Sequence, residues 1–393
     1  MGVVIPLVLV VICCIIIWRA SDGFAVASDY IGRNLSEGVR GATINAVASS
    51  MPEVFTSLFF LFYLHDTDGF SGGIGTTAGS AIFNGMIIPA FVILVVVFSG
   101  VTKKIRVSTK VFARDGIALL LSELIFIMII SGTELDWWHG MILMIVYFIY
   151  LFYMLRTMSK SETTEEEHEE KFSREGMVQI SFMRAFLTFD LERVIIGKNK
   201  ITNANAWPLL LTSTIFMAMV CLLLVQSCEW LGSYSYEIPY LGQFQGLGIP
   251  ILFIAVILAA MASSIPDTIL SMKDARKGNY DDAVSNALGS NIFDICFAMG
   301  FPLFLYTIVN GPIHMTQEII DLSSELRMLL FILTILTVLI YVTGHYLGIL
   351  KAYLLLGLYT VFTLYVVGVS VENEFTLKVA EILREMVKVF DLF

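Results

Sequence analysis

Apolar stretches of membrane-spanning length follow one another along nearly the whole chain, separated by short polar runs. They lie at about 3–18, 41–64, 73–98, 116–131, 138–156, 207–227, 247–271, 283–309, 328–343 and 350–370. Each approaches the ~20 residues that a helix needs for one bilayer crossing. The pattern predicts an all-α integral membrane protein with ten transmembrane helices. The longest polar interval follows the fifth stretch. It divides the chain into a first five-helix unit (1–156), a linker (157–206), a second five-helix unit (207–371) and a C-terminal tail (372–393). An odd number of spans per unit makes the second enter the membrane inverted relative to the first.

Basic residues set the direction. With the N-terminus outside, the inward-facing intervals 19–40, 101–115, 156–206, 272–282 and 344–351 hold 20 of the 24 Lys and Arg residues. Arg327, Lys378, Arg384 and Lys388 fall on the other side. So strong a bias supports both the span count and the orientation. Met1–Ile17 has no basic residue ahead of its apolar run and no small-x-small site after it. A retained first span is therefore expected rather than a signal peptide.

Composition excludes a soluble domain: 57% of residues are hydrophobic, 15% are charged and the mean hydropathy is +0.81. A soluble chain would carry about a quarter charged residues. The net charge of −10 adds little, because the acids concentrate in one loop and at the ends; no nucleic-acid partner is expected. Cys13, Cys14, Cys221, Cys228 and Cys296 follow no metal-knuckle or disulfide spacing and read as small packing residues. A multi-pass protein of the plasma or inner cell membrane is expected, embedded in the lipid bilayer, with no obligate protein partner.

Within this apolar background a polar pattern occurs twice. The first copy reads Ala46-Val-Ala-Ser49-Ser50-Met-Pro52-Glu53, followed by Gly79-Ser80-Ala-Ile-Phe-Asn84. The second reads Ala260-Met-Ala-Ser263-Ser264-Ile-Pro266-Asp267, followed by Gly289-Ser290-Asn-Ile-Phe-Asp294. On a helix, Ala46, Ser49, Ser50 and Glu53 share one face, as do their counterparts Ala260, Ser263, Ser264 and Asp267. Thr76, Ser80 and Asn84 form a second stripe, and Asn286, Ser290 and Asp294 a matching one. Each proline disrupts a bond to the carbonyl four residues earlier, at Ala48 and Ala262. A carboxylate at membrane depth is costly and marks a functional site unless something neutralises it. No basic residue lies in either motif-bearing span to do so. Carboxylates, hydroxyls, amide oxygens and loosened carbonyls are hard ligands, suited to calcium, sodium or potassium and poorly suited to zinc or copper. Gly79, Ser80, Gly289 and Ser290 also suit close helix approach, which is taken as their main role, with ligand duty added for the serines.

Other polar groups fit ordinary roles. Glu123 has no counterpart in the second unit and is expected to reach water or a basic neighbour. Asp66 and Asp68 read as a solvated outer loop, and Asp274, Asp281 and Asp282 as loop residues beside Lys273, Arg276 and Lys277. The acidic run Ser161–Glu170 reads as a disordered linker without EF-hand spacing. Phe172–Phe189 is expected to lie on the inner membrane surface as an amphipathic helix. The periodic tail Glu372–Phe393 is expected to pack or attach at the surface.

At the duplicated motifs, from Gly41 to Asn84 and from Gly248 to Asp294, the chain resembles the cation/calcium antiporter superfamily, in its sodium/calcium exchanger branch. The likeness extends over nearly the whole chain apart from linker and tail. It implies a non-enzymatic carrier without cofactors that exchanges Na+ for Ca2+ by alternating access. It further implies Glu53 and Asp267 as central calcium ligands. Ser50, Ser80, Ser264 and Ser290, with the carbonyls of Ala46 and Ala260, would line sodium sites. Ser49, Ser263, Asn84, Asn286 and Asp294 would complete the cluster. Ala48 and Ala262 stand where glycine is common, and Ala81 where some members have asparagine. The stretch Pro266 to Gly278 is similar to potassium-dependent members, so K+-dependent exchange stays open, as does Ca2+/H+ exchange. An intramembrane aspartyl protease using Asp267 and Asp294 is the rival from another class. It lacks a Gly-x-Gly-Asp motif and has no use for mirrored hydroxyl stripes.

Overall fold

The computed structural model describes residues 2–33, 39, 41–102, 104–156, 182–197, 199–343 and 346–389. The first helix, α1, runs Val4–Ile31, and α2 is a pair, Ala42–Ser49 and Met51–Leu64, bent by 45°. Then follow α3 (Asp66–Phe98), α4 (Thr109–Ile129) and α5 (Trp137–Arg156). After two short helices, Phe182–Leu187 and Leu191–Ile195, come α6 (Asn203–Gly232), α7 (Ile251–Arg276) and α8 (Tyr280–Asn310). The chain continues as α9 (Gln317–Val342), α10 (Ile349–Ser370) and α11 (Glu374–Lys388).

Among the described residues, eight helices are long and apolar enough to cross a membrane, and nine with the bent α2 counted as one span. The remaining long helix, α4, has 21 residues but carries Arg114, Asp115 and Glu123. The acidic run Ser161–Glu170 and residues 172–181 of the expected surface helix lie outside the described residues.

Burial sorts the helices. In α3, α7 and α8 the apolar stretches are 72%, 61% and 67% buried, against 33% in α1 and 28% in α10. The first three form the centre and pack on one another and on α2. Val8 and Ile15 of α1, Phe152 of α5, Leu211 of α6 and Leu364 of α10 point outward, as side chains facing hydrocarbon do. One end of the bundle joins the strand pair Glu134–Leu135 and Ile313–His314, and links Tyr306 to Asp66. The opposite end joins Ile105 to Leu347, Ser108 to Asp281 and Asp22 to Lys273.

Several helices outrun their apolar stretches. The helix α1 continues past Arg19 to Ile31 because Ala20, Ser21, Gly23, Ala27 and Ser28 are buried in protein rather than lipid. Asp66 and Asp68 belong to the first turn of α3 and not to a loop. Arg327, expected outside the spans, lies buried within α9 and donates to the carbonyls of Ser323 and Ile127 and to Ser131 and Ser324. Asp274 and Asp282 are buried helix residues. The tail helix α11 packs on α9, where Arg384 pairs with Glu325 and Asp321.

The crossing of α5 and α8 depends on two glycines. A Cβ on Gly140 would stand 2.4 Å from the Gly300 carbonyl oxygen and 2.6 Å from the Phe304 nitrogen. Gly140→Ala is expected to lose about 1–3 kcal/mol, the usual cost of overpacking. A lowered melting temperature in detergent checks this.

Candidate functional site

The duplicated motifs sit where helices are interrupted. Helix α2 begins with a π-helical turn, Gly41–Asn45, just before Ala46, and α7 has one at Ala255–Ala259, just before Ala260. A wide turn of this kind reorients the residues that follow it. Ser50 then leaves helical geometry (φ −92°, ψ 12°), and Ser264 does the same (φ −81°, ψ 1°). Pro52 and Pro266 stand at the start of the new helical segments, where a missing N–H costs nothing. Glu53 and Asp267 therefore fall in the first turns after the interruptions, where carboxylates are favoured by the helix dipole. Both are fully buried.

The hydrogen bonds run crosswise between the two motifs. Ser49 and Ser50 of α2 both donate to Asp267 of α7, the second at 3.3 Å. Ser264 of α7 donates to Glu53 of α2 at 3.4 Å. The partner helices add their hydroxyls: Ser80 of α3 to Glu53 at 3.0 Å, and Ser290 of α8 to Asp267 at 2.6 Å. Ser80 also donates to Asp294 at 2.8 Å and meets Ser264 at 2.7 Å. Asn84 reaches Asp267 and Asp294, each at 3.3 Å. Asn286 accepts from Ser49 and donates to the Asp267 carbonyl, each at 3.4 Å.

Ten of the thirteen expected site residues thus join one buried network through their side chains. The other three, Ser263, Ala46 and Ala260, engage differently. Ser263 donates to the Ala260 carbonyl at 3.2 Å, within its own motif. The Ala46 carbonyl accepts the Ser50 N–H at 3.0 Å, and the Ala260 carbonyl accepts that of Ser264 at 3.0 Å. Sequence reasoning missed Asn45, whose side chain donates to Asp274 at 3.5 Å, and Ser271, which accepts from Asn286 at 2.9 Å. Ser271 lies one helical turn beyond Asp267, and Asn45 one turn before Ser49, so following those two residues by four positions finds both.

Three oxygens of the network are buried without a hydrogen-bond partner: Glu53 Oε2, Asn84 Oδ1 and Asp294 Oδ1. All three are acceptors, and each such group normally has a partner when buried. Among the described residues no group of three or more His, Cys, Asp or Glu side chains forms a metal cage. Here hydroxyls and an amide stand between the acids, which gives a mixed-oxygen pocket fitted to hard cations.

The sodium/calcium exchanger protein family matches residues 5–156 and 196–368. The chain belongs to that family. The break between the two matched regions coincides with the interval between α5 and α6, so both motif-bearing halves of this exchanger are covered. Sodium/potassium/calcium exchanger 5 of Homo sapiens is 26% identical over 423 residues, covering 89% of this chain and 80% of the relative. Sodium/potassium/calcium exchanger 4 of Mus musculus is 23% identical, covering 70% of this chain and 66% of the relative. Among solved structures, the sodium-calcium exchanger NCX_Mj shares the fold with a TM-score of 0.54 at 20% identity, covering 91% of this chain and 97% of its own. The H+/Ca2+ exchanger CAX does so with a TM-score of 0.57 at 12% identity, covering 97% and 92%. The protein is a transporter of the cation/calcium exchange class, and the protease alternative falls away with that assignment.

At one end of this exchanger a cavity of about 500 Å³ opens between the α2–α3 junction, the end of α6, the start of α7 and the start of α9. Asp68, Glu229 and Glu318 line it, and no basic residue among the described ones does. Ser71 on its wall is nine residues before Ser80 on the same helix, roughly 13 Å along the axis.

Proposed function

We propose that the crosswise network is the transport site of a Na+/Ca2+ antiporter built from two inverted five-helix repeats, with all ten long helices crossing the membrane and the N-terminus outside. The observation that carries the reading is the pair of carboxylates supplied with hydroxyls from the opposite motif, together with three buried oxygens that lack donors. Glu53 and Asp267 would hold Ca2+ between them. Ser50, Ser80, Ser264 and Ser290, with the Ala46 and Ala260 carbonyls, would take Na+. Ser49, Ser263, Asn84, Asn286 and Asp294 would complete both sets. Empty, the pair leaves bare charge in a low-dielectric interior, which opposes movement between states. Filled by either cation set, the charge is compensated and the helices shift. The acid-lined cavity supplies cations from one side. The linker 157–206 would connect the repeats without entering the site.

Energetics favours more than two Na+ per Ca2+. Holding a ~10⁴ calcium gradient across about 70 mV costs roughly 8.7 kcal/mol. Each Na+ descending a ~10-fold gradient and that voltage returns about 3.0 kcal/mol, so three suffice and two do not. Exchange is therefore electrogenic.

A second reading, with K+ moving beside Ca2+, is favoured by Asp294, which brings a third carboxylate onto Ser80 and Asn84. Two carboxylates balance Ca2+ alone, and three balance Ca2+ plus K+. The relatives named sodium/potassium/calcium exchangers point the same way. The neighbour named as an H+/Ca2+ exchanger raises the proton as a third driver. Calcium uptake into proteoliposomes, driven in turn by outward Na+, K+ and H+ gradients, separates the three. Sodium-driven uptake accompanied by a net outward movement of positive charge is expected. Uptake driven by protons alone, or insensitive to voltage, overturns the main reading. An absolute need for K+ on the calcium side selects the second.

A further inference from the structure

Helix α3 carries Ser80 and Asn84, and the turn that follows them is incomplete. Pro89 lies buried inside the helix and has no N–H for the Gly85 carbonyl four residues earlier. A main-chain carbonyl without a donor is costly at membrane depth, where a neighbouring helix has to supply one. Here α9 does so: the Tyr341 hydroxyl donates to the Gly85 oxygen. One turn earlier on α3, Asn291 of α8 donates to the Ala81 carbonyl at 2.9 Å. Two successive carbonyls of α3, at i and i+4, are thus held from α8 and α9. Between them in sequence stands Asn84, whose amide reaches Asp267 and Asp294.

Tyr341 is itself held on every side. It is buried, and its ring centroid lies 5.3 Å from that of Phe112 on α4. Its carbonyl belongs to the last turn of α9, which has no intrahelical donor to offer it. Lys351 of α10 donates to that carbonyl at 2.9 Å. Helix α9 is in turn fastened to α4, where Arg327 donates to the Ile127 carbonyl and Thr334 to Glu123, each at 2.6 Å. Fully buried Glu123 meets this hydroxyl in place of the water or basic neighbour expected of it. The Tyr341 hydroxyl therefore reaches Gly85 from an anchored frame.

On the reading that the crosswise network is the transport site, we propose that Tyr341 is a positioning residue for cation binding. Its hydroxyl replaces the N–H that Pro89 lacks, and so fixes the turn of α3 that presents Asn84 to Asp267 and Asp294. Tyr341 acts through the Gly85 carbonyl and not on the cation. An unbroken helix would set this turn from within α3 alone. The proline and the tyrosine together let α9 set it from outside. Without the hydroxyl the Gly85 oxygen is buried and unpaired, a cost the chain relieves by rotating or unwinding the turn. Asn84 moves with that turn and loses its approach to the two acids.

Tyr341→Phe keeps the ring and removes the hydroxyl. In proteoliposomes it is expected to raise the KM for Ca2+ about tenfold, the worth of one buried acceptor left unpaired, with maximal uptake within about twofold of wild type. Pro89→Ala restores the main-chain donor. In that background Tyr341→Phe is expected to change KM less than about twofold, because its partner is already satisfied. Should Pro89→Ala not fold, Pro89→Val supplies the same N–H with the bulk of a branched side chain, and Tyr341→Phe alone still decides by its KM. An unchanged KM in Tyr341→Phe overturns the proposal, even where the melting temperature falls, since that is a structural role only. An equal rise in KM with and without Pro89 overturns it too, because the hydroxyl then acts elsewhere than on Gly85. Asp267→Asn leaves this pair intact and reports on the network alone, so the site reading and the role of Tyr341 fail separately.

Discussion

Asp267→Asn is expected to reduce sodium-driven calcium uptake by more than about 100-fold. The side chain keeps its shape and loses its charge, so the effect reads the charge. Asp267 accepts from Ser49, Ser50, Ser290 and Asn84, four donors from three helices, α2, α8 and α3. An amide NH₂ in place of one carboxylate oxygen turns toward donors that it cannot satisfy. It also removes half of the charge pair that would compensate Ca2+. Losing one partner of a buried ionic arrangement costs about 3–5 kcal/mol, which is a factor of roughly 10²–10³ or more. Glu53→Gln is expected to act similarly, and the double variant to lose little beyond either single one, because residues sharing one network are not additive. Uptake into proteoliposomes, normalised to reconstituted protein, measures this. Uptake within tenfold of wild type in both single variants would remove the two acids from the transport site.

Gly79→Ala is the second large effect. A Cβ there would lie 2.3 Å from the Val256 carbonyl oxygen and 2.8 Å from both Val256 Cα and Ala260 Cβ. The obstacle is the backbone of α7 at its π-helical turn, which has no rotamer to change. Gly289 has the corresponding relation to α2, with 2.7 Å to Ala42 Cα and 2.9 Å to its carbonyl oxygen. In each case the next residue is a network serine, Ser80 or Ser290. Pushing α3 or α8 outward draws that hydroxyl away from its acid. Each alanine is expected to cost about 1–3 kcal/mol of stability and to lower transport at least tenfold. Gly357→Ala is the control, since nothing lies within 4 Å of a Cβ at that position. Melting temperature and calcium uptake together decide: two glycine variants that behave like the control would mean that the close crossings are not needed.

The sequence made the site legible because its chemistry is rare in its setting. Acids, hydroxyl pairs and prolines stand out in an apolar background, and their repetition pairs the halves. Helix existence was legible for the same reason, while helix ends were not. Hydropathy reports which residues tolerate lipid, yet α1, α3 and α9 continue with serines, glycines and charged residues that face protein. Arg327 illustrates the failure: its charge suggested water, whereas backbone carbonyls and serines of α4 and α9 satisfy it inside the bundle. Glu123 illustrates the opposite: nothing near it in sequence announces Thr334, which is 211 positions away. The crosswise pairing was equally hidden. Stripe periodicity says which residues share a face, and only the packing of α2 against α7 says that Ser49 serves the acid of the other copy.

That reciprocity constrains how the molecule is assembled. A polypeptide severed between α5 and α6 would yield two fragments, each bearing a carboxylate that kept one hydroxyl donor, Ser80 or Ser290, and had left the rest on the other piece. Neither fragment alone would chelate, and co-expressing both should restore uptake only where they find each other in the bilayer. Biogenesis must therefore hold the first half in a provisional, partly satisfied form until α7 and α8 emerge from the ribosome.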